Sequence, residues 1–293
     1  MKIFMGLMVM LVCFSACEKT LDLQPDNLTP LLVVDGSIET NQPPVIILSS
    51  SLNYFSNISP DILSASQVHN AIVVISNGVL SHKLKEYIRP VGNGYSISYY
   101  TIDSSNLATA IIGQPGKTYQ LTIEALGKKF TATTNIPVLA KKVDSLWWKN
   151  PPGIADSNKA VIMAKVTDPP GYGNYIRYFT RANSGAFLPG VNSVFDDQVV
   201  DGSSYVVQVD QGINRNDPPK FEEYGFFNKG DTVTVKFTNI DKSTFDFWRT
   251  VEYSYQSIGN PFSSPATIIN NVKGALGAFS GYSVQYKTLI IPK

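Results

Sequence analysis

The thiol of Cys17 is the group with the clearest chemistry to perform. It follows Phe14-Ser15-Ala16 and an apolar run that begins at Ile3, behind a positive start at Lys2. A positive start, a short apolar core and small residues at a cleavage point make a secretory signal. A cysteine placed directly after Ser-Ala gives that signal the form of a bacterial lipobox. Cleavage before Cys17 would leave the thiol at the new N-terminus, carrying a diacylglycerol. The run is too short to span a bilayer as a helix. The rival reading is an ordinary secretory signal with an incidental cysteine, and Phe14 stands on that side, because lipoboxes usually carry an aliphatic residue there. Cys13, the second of two cysteines, lies in the segment that would be removed. The mature chain would then hold no internal disulfide.

Other residues with chemical potential are weaker. Gly113-Gln114-Pro115-Gly116-Lys117-Thr118 superficially resembles a phosphate-binding loop. Such a loop needs four residues between its glycines and a helix after it. Here two residues separate them and the following Tyr119 to Ala125 is strand-patterned, so a plain turn is expected. Asp196, Asp197 and Asp201 could offer oxygens to calcium, but the EF-hand spacing and its terminal Glu are absent. An acidic surface turn is the expectation there. His69 and His82 are the two histidines, with no zinc-like spacing between them, and no Gly-x-Ser-x-Gly elbow occurs. The sequence therefore predicts no catalytic residues, no metal site and no cofactor, and the protein is read as not an enzyme. Trp147-Trp148 would point to opposite faces of a strand, one ring into a core and the other towards an interface or partner.

The elements that would position these residues are β-strands. The chain has 43% hydrophobic residues, 15 Tyr and 15 Phe, and a net charge of +1 from 24 basic and 23 acidic side chains. That balance, with no clustered basic patch, argues against nucleic-acid binding. Residues 1–16 form the expected signal peptide. Residues 17–30, with Pro25 and Pro30, form a tether that could reach roughly 40 Å when extended. Residues 31–140 read as successive short strands, with Asn77-Gly78 as a hairpin signal between Ala71–Ile75 and Val79–Tyr87. Alternating apolar residues from Tyr119 to Ala125 have the period of a half-buried strand. The reading is mainly β, an immunoglobulin-like sandwich over 31–140. A second β-rich domain follows over 141–293, with one conspicuous helix near 241–258. For that helix Asp241 is the N-cap, Phe247, Trp248, Val251, Tyr255 and Ile258 share a face, and Gly259 ends it. The segment from Gly259 to Phe279 is rich in Gly, Pro and Asn. Its two readings are a functional loop and a loop packed back on the Phe247/Trp248 face.

Several of these stretches together resemble the domain-of-unknown-function 4249 (DUF4249) lipoproteins of the Bacteroidetes group. The resemblance is carried by the lipoprotein signal, Leu32-Val33-Val34-Asp35-Gly36-Ser37-Ile38, Gly116-Lys117-Thr118-Tyr119-Gln120-Leu121, Gly259-Asn260-Pro261-Phe262 and Asn270 to Phe279. It implies an outer-membrane lipoprotein held through the lipid on Cys17, with a TonB-dependent receptor as the expected partner. The expected function is non-catalytic ligand capture, or service as an accessory subunit of such a transporter. The alternative is a structural or adhesive envelope protein without a small ligand. Asn260, Pro261, Phe262, Asn270, Asn271 and Gly274 are the candidate partner contacts. The cell surface is expected over the periplasmic face, from Glu18 beside the lipidation point.

Overall fold

Strand order in the first half follows from alternation. β1 (Leu32–Glu39) turns Leu32, Val34 and Ile38 inward, and β7 (Lys117–Ala125) does the same with Tyr119, Leu121 and Ile123. Each is apolar on one face, so each must be covered. In the computed structural model, two sheets meet on these faces. Residues 29–52, 59–92, 95–153, 158–215, 224–258, 263–264 and 267–293 are described. One layer runs β1, β2 (Val45–Ser50), β6 (Tyr95–Thr101), β5 (Lys85–Gly92). The other runs β8 (Lys128–Ile136), β7, β3 (Ile72–Ser76), β4 (Ser81–Lys83). These are the immunoglobulin orders ABED and GFC with an added C′ strand, so the expected sandwich is present. Helix α1 (Pro60–Ser66) is capped by Ser59, whose hydroxyl accepts from Ile62 N.

The stretch Val79–Tyr87 differs from expectation. It is not one strand. β4 ends at Lys83, Leu84 is buried in the core, and β5 begins at Lys85 in the opposite sheet. The hairpin turn itself is held by Asn77, whose Oδ1 accepts from Val79 N and Leu80 N, with Gly78 at φ +86°.

The second half forms another two-layer packing. β9 (Lys142–Lys149), β10 (Lys159–Thr167), β13 (Ser204–Val209) and β14 (Phe227–Asn228) make one sheet. They face β12 (Leu188–Phe195), β11 (Tyr175–Ala182), β15 (Thr232–Ile240) and the last strand, β17 (Leu276–Ile290). β17 is the seam of the molecule. Its first part, Leu276 to Tyr282, runs parallel to β1, and Ser283 to Ile290 runs antiparallel to β15. One eight-stranded sheet, β12-β11-β15-β17-β1-β2-β6-β5, thereby passes through both halves. The two apolar cores part between Ile136 and Val143, close to residue 140. Val272, Ala275 and Phe279 nevertheless return to the first core, and Leu31–Lys293 is one compact unit.

Polar side chains fasten the junction. Asn239 accepts from Lys141 N and donates to Lys141 O, both at 2.9 Å. Gln285 makes the same paired contact with Val143. Helix α2 (Lys242–Ser257) lies against β12, β17 and β11. Asp241 caps it as expected, accepting from Thr244 N at 2.8 Å through Oδ1. Its other oxygen accepts from Asn135 N at 2.8 Å, so the cap also grips β8.

Candidate functional site

A cavity of about 650 Å³ opens between the two layers of the second half. Its apolar lining comes from alternate positions of strands in both layers: Ala164 and Val166 on β10, and Ile176 and Tyr178 on β11 with Val235 and Phe237 on β15 facing them. The alternation that sends Val233, Val235 and Phe237 inward is the same that makes β15 a core strand, so the lining is apolar by construction. The polar lining includes Arg249, Glu252 and Gln256 of α2, the last donating to Asn192 Oδ1 of β12 at 2.8 Å, and Asp196, Gln208 and Asp210 on β13 and its flanking segments. The size, the apolar floor and the few convergent polar groups fit a small-molecule site.

The rim is stiffened by buried charges. Glu252 is 3% exposed and accepts from Ser193 N at 2.9 Å, from the Ser193 hydroxyl, and from Arg215 Nη2 at 3.2 Å. Arg177 is also buried and donates to Ser193 Oγ at 3.1 Å and to the Tyr282 hydroxyl at 3.3 Å. Its guanidinium lies 3.5 Å from the centre of the Trp248 ring. Burial pulls the Arg177 pKa down, while Tyr282 and Glu252 pull it back up. Burial also pushes the Tyr178 hydroxyl well above its ordinary value and Tyr224 up to about 12, so both phenols stay neutral. Ser193, between the Glu252 carboxylate and the Arg177 guanidinium, is fully buried and does not line the cavity. Both histidines belong to the first half. His69 Nδ1 lies 2.6 Å from Glu86, and His82 bonds Thr109 and accepts from Asp103 N.

The other residues singled out from sequence fall as follows. Gln114 to Gly116 form a turn that leads into Lys117 and Thr118 of β7, and it makes a tyrosine corner. The Tyr119 hydroxyl at the start of β7 accepts from Gln114 N at 2.8 Å and donates back to Ile112 O. Gly113 is required because a Cβ there would overlap the Glu39 carbonyl. The acidic surface turn does not describe Asp197, which is 2% exposed and accepts from Gly173 N and Asn174 N. Trp148 packs against the second core, as one of the two indoles was expected to do.

The side chains of Asn270 and Asn271 make hydrogen bonds within the chain. Asn270 Oδ1 accepts from Gly277 N, and Asn271 exchanges two 2.8 Å bonds with the backbone of Phe279. Gly274, at φ +82°, turns the short β16 (Val272–Lys273) towards β17. This part of the expected loop is therefore strand and turn that closes the first core, and Asn271 reaches α2 through Ser243. Asn260, Pro261, Phe262, Gly259 and Cys17 lie outside the described residues.

On α2 the buried stripe is Thr244, Phe245 and Glu252, with Trp248 half-buried between them. Val251 and Tyr255 are half-buried, and Ile258 is 77% exposed. The apolar periodicity was displaced because a carboxylate, not an aliphatic, docks the helix to β12. The cavity itself had no sequence signal beyond strand alternation, because its wall is assembled from six strands and one helix.

An immunoglobulin-type sandwich that shares one sheet with a second, cavity-bearing sandwich defines the structural class of this protein. The chain belongs to the family described as domain of unknown function (DUF4249), whose family model matches residues 18–288. A search of curated proteins found no match.

Proposed function

We propose that this protein is a non-catalytic ligand-capture lipoprotein of the outer membrane, anchored through Cys17 and working with a TonB-dependent transporter. The cavity carries the reading. An apolar floor with a few polar groups at its margins suits a small molecule that is largely hydrophobic and carries polar substituents, since the polar groups fix its orientation. The anchor rests on the signal sequence that ends at Cys17, and the transporter on what the family resemblance implies. Surface exposure is favoured over the periplasmic face on the same ground.

The test has two arms. A panel of amphiphilic and apolar small molecules should include one class that raises the melting temperature by several degrees, as binding to the folded state alone requires. Ala164→Phe, which projects a ring into the cavity, should abolish that shift while the unliganded protein still folds. A shift that survives the substitution would place the ligand elsewhere and sink the reading. For the anchor, Cys17→Ser should lose fatty-acid labelling and release a folded body from the membrane fraction. Two acyl chains are what hold such a protein durably. Equal labelling of both forms would overturn it. Copurification from outer membranes in mild detergent should recover a TonB-dependent receptor.

The second reading, a structural or adhesive protein without a small ligand, draws support from β13. Among the described residues it is an edge strand of its sheet, and it carries Val206 and Val207 exposed. Exposed apolar edge strands invite pairing with another chain. That reading predicts no thermal response to any small molecule and loss of partner binding on Val206→Lys.

A further inference from the structure

β10 ends at Thr167, and Asp168 follows in the turn Asp168-Pro169-Pro170-Gly171. β12 ends at Phe195, and Asp197 and Asp201 lie on the connection to β13. The fold brings these three carboxylates together, with one oxygen from each lying within 4.8 Å of the others. Two of them are held by backbone amides. Asp197 accepts from Gly173 N at 3.2 Å and Asn174 N at 2.8 Å, and Asp201 accepts from Gly171 N at 2.7 Å.

Asp168 is different. It is 1% exposed, and neither of its oxygens receives a hydrogen bond. Lys141 Nζ lies 3.3 Å from Oδ1, itself fully buried and without a hydrogen bond, which leaves Oδ2 without a partner among the described residues. A buried carboxylate oxygen is normally paired, hydrogen-bonded or bound to a metal, because isolated burial of charge is costly. Three carboxylates and one ammonium leave a local charge of −2. A single divalent ion neutralises it.

We propose that Asp168, Asp197 and Asp201 form a binding site for a divalent cation of the calcium type. All three ligands are hard oxygens, which excludes a soft-metal preference and matches what calcium takes. Calcium holds its ligands at about 2.3–2.6 Å, so oxygens on opposite sides of the ion stand up to about 5 Å apart. The observed cluster lies within that span. Waters and loop carbonyls would complete the usual six to eight positions. The ion would clasp the 168–174 turn to the 196–203 loop. That loop supplies Val199 and Val200 to the cavity wall, so the clasp would fix one side of the opening. The inference does not depend on what the cavity holds.

The experiment uses the full chain, purified in detergent and stripped with a chelator. Titration with calcium chloride by calorimetry should show one ion per chain, half-saturating between about 10⁻⁵ and 10⁻³ M, the range of moderate and extracellular calcium sites. The melting temperature should rise with the same dependence. Asp201→Asn leaves the Lys141–Asp168 pair in place and should weaken binding about tenfold or more while abolishing the shift, since site affinity follows ligand charge. Asp168→Asn should bind no calcium. Because it leaves Lys141 buried without its counter-charge, its melting without calcium is measured first, and Asp201→Asn decides if it does not fold. Asp61→Asn, on α1, should behave as the wild type. No binding heat up to about 10 mM calcium would overturn the proposal, that being above any site of this class. So would undiminished binding by Asp201→Asn, or an equal shift in sodium chloride of matched ionic strength.

Discussion

At the scale of single residues, the first sandwich holds a carboxylate whose ionisation supports folding. Glu86 accepts from Asn70 N at 2.8 Å, the Ser98 hydroxyl at 2.5 Å and the Tyr100 hydroxyl at 3.1 Å, and faces His69. Burial alone would push its pKa up, but those donors prevail and hold it down at about 2. A carboxylate depressed in the folded state stabilises above its unfolded value and loses that contribution as pH falls towards the folded one. The relevant window runs from about pH 4.5 down to about 2. Glu86 is partly open to solvent, so its contribution near neutrality is set at about 1–2 kcal/mol. Glu86→Gln should lower stability at pH 7 by that order and flatten the loss between pH 5 and 2 in urea melts. An unchanged acid limb would show that the donors do not act as argued. None of this network was legible from sequence, because Asn70, Glu86 and Ser98 meet only after β5 and β6 pair. Tyr119 was more legible. Its strand periodicity marked it as inward-facing, and the Gly-Gln-Pro-Gly turn before it is what lets its hydroxyl reach back.

At the scale of elements, α2 was readable at its start and misread along its length. Asp241 is a capping residue in any context, and Phe245, Trp248 and Glu252 follow at helical spacing. What the sequence could not show is that Glu252 is the deepest of these, since a carboxylate is buried only when partners such as Ser193 and Arg215 wait for it. The cap also has a tertiary role that local signals omit. Asp241 accepts from Asn135 N and the Thr134 hydroxyl of β8 as well as from its own helix. Asp241→Ala should therefore cost about 2–3 kcal/mol, more than the roughly 1 kcal/mol of an ordinary cap, because Asn135 N is left unpaired. Asp241→Asn should restore the cap share alone. A cost in Ala no larger than that of a cap, read from urea midpoints, would mean that the grip on β8 contributes nothing. Trp248→Ala should cost a similar amount, below the about 3–5 kcal/mol of a fully buried indole, because the ring is half-buried. Its loss uncovers the Arg177 guanidinium, so the damage should exceed that of Trp248→Phe.

At the scale of the whole molecule, the boundary near residue 140 marks where one core ends and the next begins, and the sheet ignores it. That continuity was not legible because β17 returns from the far end of the chain to pair with β1, a contact between residues more than 240 positions apart. β17 cannot leave one neighbour without disturbing the other. Gly277, at φ +97° and with no room for a Cβ against Val34, keeps the first of these pairings close. The two cores should therefore unfold together. All three tryptophans, Trp147, Trp148 and Trp248, lie in the second half, so indole fluorescence reports that half alone. Leu121→Ala removes a fully buried side chain from the first core and should cost about 2–5 kcal/mol. If the sheet couples the halves, the urea midpoint seen by tryptophan fluorescence should fall with the one seen by far-ultraviolet circular dichroism, in coincident single transitions. Two separated transitions, with the fluorescence midpoint unmoved by Leu121→Ala, would show that the halves fold independently and that β17 is a connector rather than a shared spine.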